Sequence, residues 1–139
     1  MAVVVDTSVL YALVDAADAA HDRAVEALGS EMEAVIVPQA TLPEACYLIG
    51  SRLGAAREAD FVRHLAASDW RLEPLTDADL PRVVSLMHEY ADANIGFVDA
   101  SVVAVAERIG VTRIYTLDRR HFTMIHPTHV DRFELLPAS

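Results

Sequence analysis

The chain has 139 residues, a hydrophobic fraction of 53% and a formal net charge of −10. That length suits one domain with a full hydrophobic core, expected to span residues 1–139, and the composition excludes a disordered chain. The acidic balance argues against broad electrostatic affinity for nucleic acid and suits divalent cations or a basic partner; all 11 basic residues are arginine, so Schiff-base chemistry and the phosphate-binding P-loop are excluded as well.

The first element is "VVVD", a short buried strand from Val3 to Asp6, followed by a helical turn or two in "SVLYALVD". A helix is predicted over His21–Met32. "AVIVP", Ala34–Pro38, is a second strand stopped by its proline. "TLPEACYLIGSRLG" gives a helix from Thr41 to about Leu53, closed near Gly54, and "AREADFVRHLAAS" continues as another. Cys46, the lone cysteine, lies in the apolar phase of the first of these and reads as a buried structural thiol. "WRLEPL" is a short extended segment. In "TDADLPRVVSLMHEYADA" the residues Leu80, Val83, Val84, Met87 and Ala91 form an apolar stripe, with Arg82, Ser85 and Glu89 facing away. "FVDASVVAVAERIG" is apolar on nearly every side and is expected to pack inside the domain. "RIYTLD" is a strand ending in Asp118, and "RFELLP" is the last strand. Strands alternating with helices imply an α/β fold with a central, mainly parallel twisted sheet covered on both faces.

In such sheets ligands gather beyond the carboxyl ends of the strands. Four carboxylates fall just after strands or in first helical turns: Asp6, Glu44, Asp99 and Asp118. Each has an ordinary structural reading. Asp6 caps the following helix, Glu44 completes a Thr41-x-x-Glu44 capping box, Asp99 meets the positive end of its helix, and Asp118 nucleates the turn "LDRRHF". All four nevertheless sit in apolar surroundings, where carboxylates cost several kcal/mol unless paired or bound to a cation. Oxygen donors without a cysteine or histidine cluster favour a hard ion, Mg²⁺ or Mn²⁺, and such a cluster suits attack of water on a phosphodiester.

"VVVDTSVLYAL", "LPEACYLI", "GFVDASVVAVAERIG" and "IYTLDRRHF", in that order and spacing over essentially the whole chain, resemble the PIN-domain ribonucleases, and among them the VapC toxins of bacterial type II toxin–antitoxin pairs. The resemblance implies a PIN-like three-layer α/β/α sandwich forming a single PIN domain. It implies an endoribonuclease that leaves a 5′-phosphate and a 3′-hydroxyl. Asp6 and Asp99 match the principal Mg²⁺ ligands. Glu44 and Asp118 would complete the shell or orient the attacking water. Ser8 and Thr116 match the small hydroxyl residues that support the aspartates, and Asp92 is a candidate for outer charge, against a solvated helix end. The resemblance further implies an RNA substrate, a cognate VapB-like antitoxin that occludes the site, and a homodimer. Arg119 and Arg120, directly after Asp118, are candidates to hold the RNA backbone, against an ordinary solvated turn. Arg52, Arg57 and Arg63 read as a solvated face.

His121 in "DRRHF" is expected to be a structural turn residue rather than a substrate contact. "HPTH" is not expected to bind metal, because Pro127 breaks any helix between His126 and His129. Tyr11, Tyr47 and Trp70 are able to stack on bases, yet packing is favoured for the tyrosines; Leu10, Leu13 and both tyrosines are also candidates to face a partner. No apolar run approaches the ~18 residues needed to cross a bilayer, no basic secretory n-region precedes "AVVVD", and a single cysteine suits a reducing compartment, so a cytoplasmic protein without a membrane anchor is expected. Other folds fit less well. A receiver domain needs a lysine, a haloacid-dehalogenase-like phosphatase needs a second acid where Ser8 stands, and a dinucleotide fold needs glycines that do not appear before Gly29. The alternative from another class is a catalytically inactive PIN-like module that binds RNA or protein.

Overall fold

The computed structural model describes residues 1–138. Five strands, β1 (Ala2–Val5), β2 (Ala34–Pro38), β3 (Arg71–Glu73), β4 (Arg113–Tyr115) and β5 (Glu134–Leu136), form one sheet in the order β3-β2-β1-β4-β5. Every pairing is parallel, with Val4 opposite both Ile36 of β2 and Ile114 of β4. Seven helices cover it: α1 (Thr7–Val14), α2 (His21–Gly29), α3 (Thr41–Leu53), α4 (Ala55–Ala67), α5 (Leu80–Glu89), α6 (Phe97–Ile109) and the short α7 (Arg119–Met124). Among the described residues no helix is long and apolar enough to cross a membrane.

The alternation of strand side chains builds two cores, one on each face. Val4, Ile36 and Ile114 point into a cluster with Val83 and Leu86 of α5 and the buried run Ala100 to Ala106 of α6. Val3, Val5, Val35 and Val37 point the other way, against Val9 and Leu10 of α1, Ala45 and Ile49 of α3, and Phe61 of α4. The layers are therefore helix, sheet, helix. β1 is central and buried on both faces, which is why its sequence is an unbroken valine run.

Local chemistry sets the joints. Gly54 takes φ 99°, the left-handed region that favours glycine, and so ends α3 and redirects the chain into α4 within one residue. Gly110, at φ 73°, ends α6 in the same way.

Five expectations need correction. The amphipathic stripe is rotated: Val83 and Leu86 are buried, whereas Leu80, Val84 and Met87 are exposed. Two short 3₁₀ turns, Asp77–Asp79 and Ala91–Ala93, bound α5, and Asp79 is anchored to Arg108 of α6 at 2.9 Å, which fixes the rotation of the helix. Arg82, expected to face away, pairs with Glu107 of α6 at 2.8 Å. The strand β4 stops at Tyr115 rather than Asp118, and the segment read as a turn is the helix α7. The His21 helix closes at Gly29, short of Met32.

Candidate active site

β1 and β4 are neighbours, and the chain leaves them for helices on different sides, so a crevice opens at their carboxyl ends. Asp6 stands at the floor of this crevice, 4% exposed. It is the N-cap of α1, as the plain structural reading of the sequence has it, but the cap uses only part of its carboxylate. Oδ1 accepts from the Ser8 amide at 2.8 Å and from the Ser8 hydroxyl. Oδ2 accepts from the Thr116 hydroxyl at 2.6 Å. Ser8 and Thr116 are thus both placed on Asp6. They also tie the two strand ends together: Ser8 Oγ accepts from the Leu117 amide at 2.9 Å, and Thr116 Oγ1 accepts from the Asp118 amide at 2.9 Å.

Burial pushes the Asp6 carboxyl up to about 6, against the opposing effect of its donors from Ser8 and Thr116, and the charge of Asp99 adds to the rise. Asp99, in the first turn of α6, is raised for the same leading reason. A hydrogen bond from His121 works against that rise, while the charges of Asp118 and Glu44 add to it. The four carboxylates therefore lie within electrostatic range through Asp99. Glu44 does not enter a capping box. Ala40 is the N-cap of α3, without a side-chain cap bond, and the buried Thr41 hydroxyl donates to the Pro38 carbonyl at 2.7 Å instead. The Glu44 side chain is left exposed on the first turn of α3.

Asp118 is the N-cap residue of α7, and His121 lies one turn on. The His121 Nδ1 is 2.7 Å from Asp99 Oδ2 and 3.0 Å from Asp118 Oδ2. Asp99, Asp118 and His121 each offer a ligand atom within 4.8 Å of the others. Asp99, Asp118 and His121, at the end of a parallel sheet, are a donor set that fits a divalent cation, while Asp6 and Glu44 lie outside that group and reach Asp99 through their charge. The expectation that His121 is only a turn residue missed this. The available signal was its position three residues after Asp118, which places both side chains on one face of a helical turn.

Other candidates lie elsewhere or are engaged. Arg119 is tied down, its Nη1 donating to the carbonyls of Leu135 and Pro137, while Arg120 is exposed. Asp92 sits in the exposed 3₁₀ turn before α6. Arg52 lies over the Tyr11 ring, Arg57 donates to the Val14 carbonyl, and Arg63 pairs with Asp60. Leu10 is fully buried and so faces no partner, and Tyr11 is buried with its hydroxyl on Asp15, whereas Tyr47 is exposed. His129 is bound to the Val111 carbonyl, apart from His126, which is exposed. Cys46 is half-buried, and burial together with the Glu58 charge raises its thiol, the opposite of an activated nucleophile.

The chain matches the family model "PIN domain" over residues 3–125. It is 34% identical over 134 residues to ribonuclease VapC26 of Mycobacterium tuberculosis, covering 96% of this chain and 99% of that one. Among solved structures it matches VapC20 of Mycobacterium tuberculosis, a sarcin–ricin-loop-cleaving toxin, with a TM-score of 0.78 and 25% identity over 84% of this chain and 89% of that one. VapBC2 from Rickettsia felis, bound to a DNA fragment from its promoter, shares the fold with a TM-score of 0.69 at 12% identity, covering 97% of each chain. FitAcB from Neisseria gonorrhoeae shares it with a TM-score of 0.63 at 19% identity, over 84% of this chain and 87% of that one.

Proposed function

This chain belongs to the PIN-domain family, and we propose that it is a Mg²⁺- or Mn²⁺-dependent endoribonuclease that acts as the toxin of a toxin–antitoxin pair. The observation that carries this reading is the buried Asp6, held by Ser8 and Thr116 and raised to about 6, beside Asp99, Asp118 and Glu44. A bound divalent cation would supply Lewis-acid activation of water and neutralise charge on the phosphate oxygens. In this reading Asp6 and Asp99 would be the principal ligands and Glu44 and Asp118 would complete the shell; the closeness of Asp99 and Asp118 supports it.

The chain's own residues do the rest. Ser8 and Thr116 fix the Asp6 carboxylate on both oxygens, so its orientation needs no rearrangement when charge develops. Glu44, exposed on the first turn of α3, would complete the shell or orient the attacking water. Arg120, exposed, would hold an RNA phosphate, whereas Arg119 ties α7 to β5 through the Leu135 carbonyl. The same proposal includes a single PIN domain over residues 1–139, a cytoplasmic location, a homodimer and a VapB-like antitoxin partner.

The test is cleavage of total RNA, ribosomal RNA included, by the purified protein, with new 5′-phosphate ends mapped. Cleavage is expected with Mg²⁺ or Mn²⁺, lost with EDTA, and reduced by at least about 100-fold in Asp99→Asn, because the lost ligand charge acts directly on the transition state. Wild-type cutting by Asp99→Asn would refute the metal role, and a folded protein that never cuts would leave a binding module.

A further inference from the structure

We propose that His121 is an inner-sphere nitrogen ligand of the metal, alongside Asp99 and Asp118, and that it makes the site prefer Mn²⁺ to Mg²⁺. This rests on the metal-dependent reading above and names the ion it implies. An octahedral ion with bonds of about 2.1 Å sets neighbouring donors about 3.0 Å apart. The His121 Nδ1 lies 2.7 Å from Asp99 Oδ2, to which it is hydrogen-bonded in the metal-free protein, and 3.0 Å from Asp118 Oδ2, so an ion that displaced the Nδ1 proton would find two donor spacings close to the edges of such a face. All three donors fall within 4.8 Å of one another.

The triangle is held by packing. Phe122, within α7, and Ile125, just after its end, are buried at 1% and 0% exposure and seat the helix that carries His121. The Asp118 backbone N–H donates a hydrogen bond to the Thr116 hydroxyl, and Asp99 projects from α6, whose next seven residues are buried. The ring itself is only 23% exposed, so it does not swing freely in solvent.

A site built from carboxylates alone suits Mg²⁺, which binds nitrogen weakly. Replacing one oxygen by imidazole moves preference along the first transition row, where Mn²⁺ accepts both donor types. The sequence reading treated the site as oxygen-only and so had no reason to separate the two ions.

The experiment loads the full-length protein with Mn²⁺ and records pulsed electron paramagnetic resonance, reading coupling to ¹⁴N. Calorimetry with Mn²⁺ and with Mg²⁺ runs in parallel on the wild type and on His121→Asn, which puts an amide in place of the ring. A ¹⁴N coupling is expected in the wild type and not in the variant. The ratio of Mn²⁺ to Mg²⁺ affinity is expected to fall about tenfold in the variant, or about 1.4 kcal/mol. Mn²⁺ bound without a ¹⁴N coupling, or an unchanged ratio, overturns the inference while the nuclease reading stands, provided cleavage persists. Failure of the wild type to take up any divalent ion overturns both. Should His121→Asn fail to fold, the wild-type spectrum decides alone.

Discussion

Asp6→Asn in the metal-free protein separates the cost of the buried charge from its use. The Asp6 carboxyl rises from 3.8 to about 6 on folding, chiefly through burial. A raised carboxyl disfavours the ionised folded form, so the group opposes folding increasingly as pH rises from the unfolded to the folded pKa. Above about 6 the full cost applies: about two pH units at 1.36 kcal/mol each, or about 3 kcal/mol. Asparagine keeps the shape and the Ser8 bonds, but its amide forces the Thr116 hydroxyl from donor to acceptor, which offsets about 1 kcal/mol. The variant is therefore expected to be more stable by about 2 kcal/mol at pH 8 in EDTA, a rise in Tm of ~3–5 °C per kcal/mol. At pH 5 only about half of the charge cost is present, so the gap between the two proteins is expected to shrink. Urea unfolding in EDTA at both pH values measures this, and adding Mn²⁺ is expected to reverse the order by stabilising the wild type alone. A variant no more stable than the wild type at pH 8, or a gap that ignores pH, would refute the account of Asp6.

Thr116→Val removes a donor that lowers the Asp6 carboxyl; the acid limb of the cleavage profile is expected to move to higher pH, read from rate against pH at saturating Mn²⁺, with kcat falling more than the metal affinity. Asp79→Asn tests the anchor remote from the site. Burial alone would raise the Asp79 carboxyl, but the Thr76 amide and the Arg108 guanidinium overcome it and hold the group below its usual range. Arg108 is partly solvent-exposed, so breaking this pair is expected to cost about 2 kcal/mol at pH 7 by urea unfolding, while cleavage of RNA persists under native conditions. Because the wild-type carboxyl is depressed, its stabilisation is present above pH 4 and is lost below it, so the gap between wild type and variant is expected to narrow in acid.

The strands and the α3 boundary at Gly54 were legible because they depend on local signals: apolar runs, a stopping proline and a glycine at φ 99°. The burial of α6 was legible from its composition, and Ala100 to Ala106 are indeed buried. The phase of α5 was not, because its rotation is set by the Asp79–Arg108 bond across 29 residues of chain, which no periodicity records. At the site, the spacing of Asp6, Glu44, Asp99 and Asp118 after strands and in first turns was visible; the structure puts Asp99 and Asp118 side by side and leaves Asp6 and Glu44 within electrostatic range of Asp99. The Thr41 capping box looked equally plausible on paper, but the Thr41 hydroxyl is taken by Pro38. The contact of His121 with Asp118 was not legible because a turn was expected where α7 forms, and the helix is what aligns the two. The engagement of Arg119 by β5 depends on the last strand folding back beside β4, a contact far from its own motif.

The bond from Thr116 to Asp6 joins residues 110 positions apart, and it sets an order on biosynthesis. Domains gain structure as they leave the ribosome, from the N-terminal side first. Asp6 emerges well before Thr116, so the strand, hydroxyl and acid that complete its surroundings are made later. A nascent chain that has not yet delivered β4 and α7 is therefore expected to be harmless to the RNA around it, including the ribosome producing it. A release-stalled series of lengthening chains, assayed for cleavage, is expected to stay silent until the segment through Met124 is free of the exit tunnel.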